Sequence, residues 1–162
     1  MRTWDDYTAA ALAVAYNSCM SAAATDYDPR YLAGIALFNR GDFFEAHEAW
    51  EALWMETFGP EKQFYQGLIQ AAVGLCHFCN GNLRGAVKLY RSSRAYMERY
   101  GSPFLGLDQT HFWEQMQRCF AQILAEVEPA KGTAPEDDLI PTIELDPPPR
   151  EWPDPSLFVE HE

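Results

Sequence analysis

Residues 34–50 read GIALFNRGDFFEAHEAW, and residues 74–90 read GLCHFCNGNLRGAVKLY. Laid over one another at an offset of 40 residues, Gly34, Phe38, Gly41 and Ala46 recur as Gly74, Phe78, Gly81 and Ala86. Asp42, Phe43 and Trp50 recur conservatively as Asn82, Leu83 and Tyr90. In each copy a glycine follows an apolar periodic run and precedes another, the pattern of a helix, a glycine turn and a second helix. The repeat therefore predicts two related helical hairpins. Two copies are too few for an open solenoid, so the expected architecture is a closed all-α helical bundle.

Outward from the repeat, the helical period runs almost without interruption to about residue 128. Asp28-Pro29 combines an N-cap with the proline that suits a first helical turn, and Gly59-Pro60 repeats the arrangement. Helices are expected near 5–23, 29–39, 42–57, 60–79, 82–99 and 108–127, so that helices flank the two hairpins. Beyond residue 128 the chain changes character, with eight of its eleven prolines. Proline at that density forbids helix and favours extended backbone. Leu139, Ile140, Ile143, Leu145, Trp152, Leu157 and Phe158 make the segment too apolar for a solvated tail. The expected organisation is a bundle over 1–128 and an extended proline-rich arm over 129–162, lying along the bundle or a partner subunit.

With 48% hydrophobic and 14% aromatic residues, the 162-residue chain can build a real core. Its net charge of −12 repels phosphate backbones, which argues against nucleic acid and anionic membranes as partners. No run approaches the ~20 apolar residues of a membrane span. Asp5 and Asp6 occupy the place where a signal peptide would be basic. The expectation is a cytoplasmic protein whose cysteines, Cys19, Cys76, Cys79 and Cys119, are reduced. Cys76 and Cys79 form C-x-x-C at the end of a helical run, whereas a reactive pair gains its thiolate at a helix start; these thiols read as structural.

Chemistry concentrates in EAHEAWEALW, residues 45–54. On a helix of roughly 100° per residue, Phe43, Trp50, Trp54, Thr57 and Phe58 share one side. Glu45, Glu48, Ala52 and Glu56 share the opposite, solvated side. His47 falls on the aromatic side with Glu51 one turn on at its edge, positioned to reach inward. The next helix, QFYQGLIQAAVGLCHF, is apolar nearly all round, but Gln63, Gln66, Gln70 and His77 form one polar stripe. If the stripes face, His47, Glu51, Gln66, Gln70 and His77 surround one interior polar site, walled by Trp50 and Trp54. A satisfied hydrogen-bond network that fixes helix register is the plain reading. His47, Glu51 and His77 are also a ligand set for a divalent metal, zinc or iron, which would activate water for hydrolysis. A small polar ligand is the third reading.

Two further groups carry less. His111, Glu114 and Gln115 fit a solvated helix start capped by Asp108, and His161 lies among the terminal residues. Helix 82–99 carries Arg84, Lys88, Arg91, Arg94 and Arg99 against one acid, Glu98. The repeat aligns Lys88 with Glu48 and Arg91 with Glu51, so hairpins of opposite charge are expected to pack or dimerise through these faces.

FNRGDFFEAHEAWEALW, FYQGLIQAAVGLCHF and GNLRGAVKLY together resemble the domain-of-unknown-function 309 (DUF309) family of prokaryotic proteins, over about residues 31–96. The family motif H-x-x-x-E-x-x-W/Y is matched by His47, Glu51 and Trp54. The resemblance implies a small all-helical bundle and a metal-binding role for the His/Glu motif; it supplies no activity. Two functions follow as expectations. One is a polar site binding a divalent metal or small polar ligand, with metal-assisted hydrolysis as its chemistry. The other is a non-enzymatic interaction or oligomerisation module, binding protein or a second copy through the hairpins or the 129–162 arm.

Overall fold

A computed structural model describes residues 26–125 and 129–160 of the chain. The expected first helix near 5–23, Cys19 and His161 lie outside the described residues. Within them the protein is all-α. Five α-helices follow in order: α1 (Pro29–Asn39), α2 (Phe43–Glu56), α3 (Lys62–Cys79), α4 (Leu83–Met97) and α5 (Gln109–Ala125). Asp28 starts α1 as its side chain accepts from the Arg30 amide at 2.8 Å, and Pro29 takes the first helical position.

The turns that close α1–α2 and α3–α4 are built alike. Gly41 and Gly81 take φ of +83° and +82°. The Asp42 amide donates to the Leu37 carbonyl at 3.0 Å and the Asn82 amide to the His77 carbonyl at 2.8 Å. Gly41 N donates to Phe38 O at 3.0 Å, as Gly81 N does to Phe78 O at 3.2 Å. This is the paired closure that a left-handed residue makes possible at a helix end. Only glycine occupies that backbone region without a steric penalty.

Aromatic residues join the hairpins to α5. Phe38 packs on Phe43 and Trp50 and meets Phe112 at 6.0 Å between ring centroids. Its repeat equivalent Phe78 meets Phe120 at 5.1 Å, and Tyr90 lies 4.9 Å from the same Phe120. Thus α5 presents two phenylalanines, two turns apart, one to each hairpin. Trp50 is fully buried; its indole N–H donates to the Tyr31 carbonyl at 3.1 Å. It lies flat on Gly34, where a Cβ would come within 2.0 Å of the indole nitrogen. On α3, Gly67 and Gly74 admit α4: a Cβ at Gly67 would meet Met97 Cγ at 2.4 Å.

Between α4 and α5, Phe104–Leu107 closes a tight turn through paired backbone bonds of 3.0 and 2.9 Å. Leu105 is held there at φ +50° although it has a side chain. Burial and a 3.0 Å bond from the Tyr31 hydroxyl to its carbonyl keep it in place. After residue 128 the chain runs back over the helices. Asn39 of α1 grips Ile143 with both amide atoms, at 2.8 and 2.7 Å. Gln115 of α5 grips Thr142 in the same way, at 3.1 Å twice. The Asp146 amide donates to Gly106 O at 2.9 Å, and Tyr27 donates to Pro147 O at 2.6 Å. Ile143 and Leu145 are buried, whereas Trp152 and Leu157 stand exposed.

Candidate functional site

The His47 neighbourhood begins with the start of α2. Phe44 lies one turn before His47; the rings are 4.9 Å apart, and the imidazole Nδ1–H donates to the Phe44 carbonyl. That bond fixes the ring and leaves Nε2 facing Glu51, whose Oε2 is 3.5 Å away. So the structure brings His47 and Glu51 together. It does so on a half-buried seam and not in the interior: 19% of the His47 side chain and 51% of the Glu51 side chain are solvent-exposed. Glu45 and Glu48, expected on the solvated side, are half-buried, more so than Glu51. An angle about one helix does not tell how far its neighbours reach over it.

Two other residues differ from the helical projection. The helix ends at Glu56 and Thr57 turns extended (φ −93°, ψ 129°), so Phe58 leaves the buried side and stands 91% exposed. Trp54 is half-buried beneath the Lys62 ammonium, which sits 4.6 Å from its ring and 5.7 Å from that of Phe58. Trp50 belongs to the core and not to the seam.

The polar stripe of α3 is half-buried at Gln66, Gln70 and His77. Its hydrogen bonds run to the α4 side. Gln63 accepts from Arg99 at 2.7 Å near one end, and His77 Nδ1 lies 3.4 Å from the Asn82 side chain at the other. Among the described residues no three His, Cys, Asp or Glu side chains come close enough to share a metal ion. His47 and Glu51 thus meet as a pair, and His77 takes a partner at the head of α4. Two buried polar atoms near these helices lack a partner among the described residues: Trp54 Nε1, a donor, and Gln70 Oε1, an acceptor.

Phe44 and Lys62 escape a reading of the sequence that looks for ligating side chains. A signal for Phe44 exists: it stands three residues before His47, within reach on a helix. Asp108 caps α5 as expected, accepting from the His111 amide at 3.1 Å. The C-x-x-C pair sits at the C-terminal end of α3. Burial raises the Cys79 thiol, with Cys76 adding to it, and burial pushes the Cys119 thiol up to about 12. A redox nucleophile requires the opposite shift. No helix among the described residues is long and apolar enough to cross a membrane.

Uncharacterized protein YpuF of Bacillus subtilis (strain 168) is 37% identical over 86 residues, covering 51% of this chain and 49% of that protein. An uncharacterized protein of Aquifex aeolicus (strain VF5) is 33% identical over 72 residues, covering 44% of this chain and 22% of that protein. The match thus spans about half the length of the first relative and about a fifth of the second. Residues 31–89, from α1 into the first half of α4, match the family described as "Domain of unknown function (DUF309)".

Proposed function

We propose that the chain is a non-enzymatic interaction module whose docking surface is the outer face of α2 and α3. The observation that carries this reading is the exposure of large apolar residues on and beside α2. Phe44 is 55%, Met55 64% and Phe58 91% exposed. Phe44 and Met55 are eleven residues apart, three helical turns, and so share a face. That face flanks His47 and Glu51. Exposed apolar residues scattered singly are ordinary, but two large ones on the same helical face, with a third just past its end, give that side of the molecule the apolar area an interface uses.

If the patch is a docking surface it contributes nothing to the fold of its own chain. Phe44→Ser with Phe58→Ser, measured in dilute protein, is expected to leave Tm within about 2 °C, as exposed substitutions do. A fall of more than about 6 °C would mean that the chain itself covers these side chains, and would end the proposal.

A second reading rests on one specific geometry. With Nδ1–H given to a backbone carbonyl, Nε2 is the His47 ring nitrogen left facing a carboxylate oxygen. That arrangement favours a cation between them, and a histidine that ligates a metal commonly ties its other nitrogen in this way. A divalent ion, zinc or iron, would find two protein donors in His47 and Glu51, short of the three of a hydrolytic zinc site. The reading therefore extends to cation binding and stops before water activation. Metal titration of wild type against a His47→Ala variant decides it.

A further inference from the structure

We infer that the docking surface takes a second copy of this chain, about a twofold axis parallel to the helices that sets α2 of each copy against α4 of the other. The inference rests on the docking reading above and names its partner.

Helix α3 packs against both α2 and α4. Its back faces α1 through Tyr31 and Tyr65, 6.0 Å apart, and α5 through Phe78 and Phe120. Its front is the half-buried stripe of Gln66, Ile69, Gln70, Val73, Cys76 and His77. Three helices therefore form one layer with α3 in the middle. The two outer helices carry opposite charge. From Phe43 to Glu56 there are four glutamates and no lysine or arginine; from Leu83 to Met97 there are four lysines and arginines and no acid. Among the described residues, Arg84, Lys88 and Arg91 take part in no ion pair, and all three are exposed.

A surface that meets a copy of itself across a twofold must be self-complementary. Two stackings of such a layer exist. With the axis perpendicular to the helices, α2 faces α2 and α4 faces α4, placing acid on acid and base on base. With the axis parallel to the helices, α2 faces α4 on both sides. Like charges across an interface oppose association, so the second stacking is selected.

The repeat also supplies the register. The two glycine turns are alike and stand at the same end of the layer, so α2 and α4 start level and run in the same direction. Residues 40 apart are then at the same height: Glu48 meets Lys88 of the second copy, and Glu51 meets Arg91. Phe44, Met55 and Phe58 lie beside these pairs and supply the apolar area that charge pairs do not. A layer of three helices about 22 Å long and roughly 9 Å apart offers a footprint of about 600 Å² before its corrugation is counted. Stable interfaces bury about 800 Å² of accessible surface per partner, so the layer is of the right size.

Sedimentation equilibrium tests the inference with two charge-reversed forms, Lys88→Glu with Arg91→Glu, and Glu48→Lys with Glu51→Lys. Wild type is expected to be a dimer and each variant alone at least tenfold weaker in self-association. An equimolar mixture is expected to regain the wild-type dimer, because each reversed α4 then meets a reversed α2. Recovery on mixing cannot come from misfolded protein. A monomeric wild type, variants that remain dimeric, or a mixture that stays monomeric would overturn the inference. A monomeric wild type whose Phe44→Ser, Phe58→Ser form keeps its Tm would remove the second copy as partner while leaving the docking surface standing.

Discussion

At the scale of single residues, the protein turns on what each polar atom faces. Trp50 and Trp54 stand one turn apart in the same motif, yet one lies inside the core and the other packs half-buried against its edge. Trp50 lies on Gly34 with its N–H satisfied by Tyr31, while Trp54 keeps an unpartnered Nε1 under Lys62. The sequence shows both as aromatic residues on a helix and cannot tell them apart, because the distinction depends on Gly34 and Lys62 in other helices. The same holds for Glu51. Spacing alone places it within reach of His47, and the 3.5 Å separation agrees. Its exposure follows from the width of the seam, which no spacing encodes. If a divalent ion bridges this pair, zinc added to metal-free protein should bind near one equivalent, and His47→Ala should weaken binding at least tenfold. Equal binding by wild type and variant would end the cation reading.

At the scale of elements, helices α1 to α5 are legible in the sequence because period, caps and glycines agree at every level. The glycine turns show why: Gly41 and Gly81 are required by positive φ, so the residue type announces the conformation. The return segment is legible only as extended and apolar. Its anchors, Asn39 and Gln115, look like ordinary polar helix residues until Ile143 and Thr142 arrive from more than twenty residues away. Each amide offers a donor and an acceptor and so substitutes for a neighbouring strand. Asn39→Ala removes one such clamp and leaves the Ile143 amide and carbonyl without partners, at a cost of about 1–3 kcal/mol. Hydrogen exchange at Thr142 and Ile143 should then quicken while the amides of α3 hold. Unchanged exchange at these two positions would show that burial of Ile143 and Leu145 alone fixes the segment.

At the scale of the whole molecule, what the sequence shows best is charge, and what it hides is which charges share a surface. The chain carries a net charge of −12, yet α4 is a basic strip within that acidic protein. The 40-residue repeat is plain in the sequence but gains meaning only once α3 is seen to separate α2 from α4. Glu48 and Lys88 then become level positions on the two edges of one face. The apolar residues of that face are the least legible part. Helical spacing turns Phe58 inward only if the helix is extended past its true end, and nothing in the pattern singles out Met55.

The direct measurement is hydroxyl-radical footprinting of wild-type protein from dilute to concentrated solution. Met55 and Phe58 should lose labelling as concentration rises, while Leu157, 77% exposed elsewhere on the surface, should keep its own. Labelling of Met55 and Phe58 that stays constant, or that falls in step with Leu157, would contradict a second copy seated on α2.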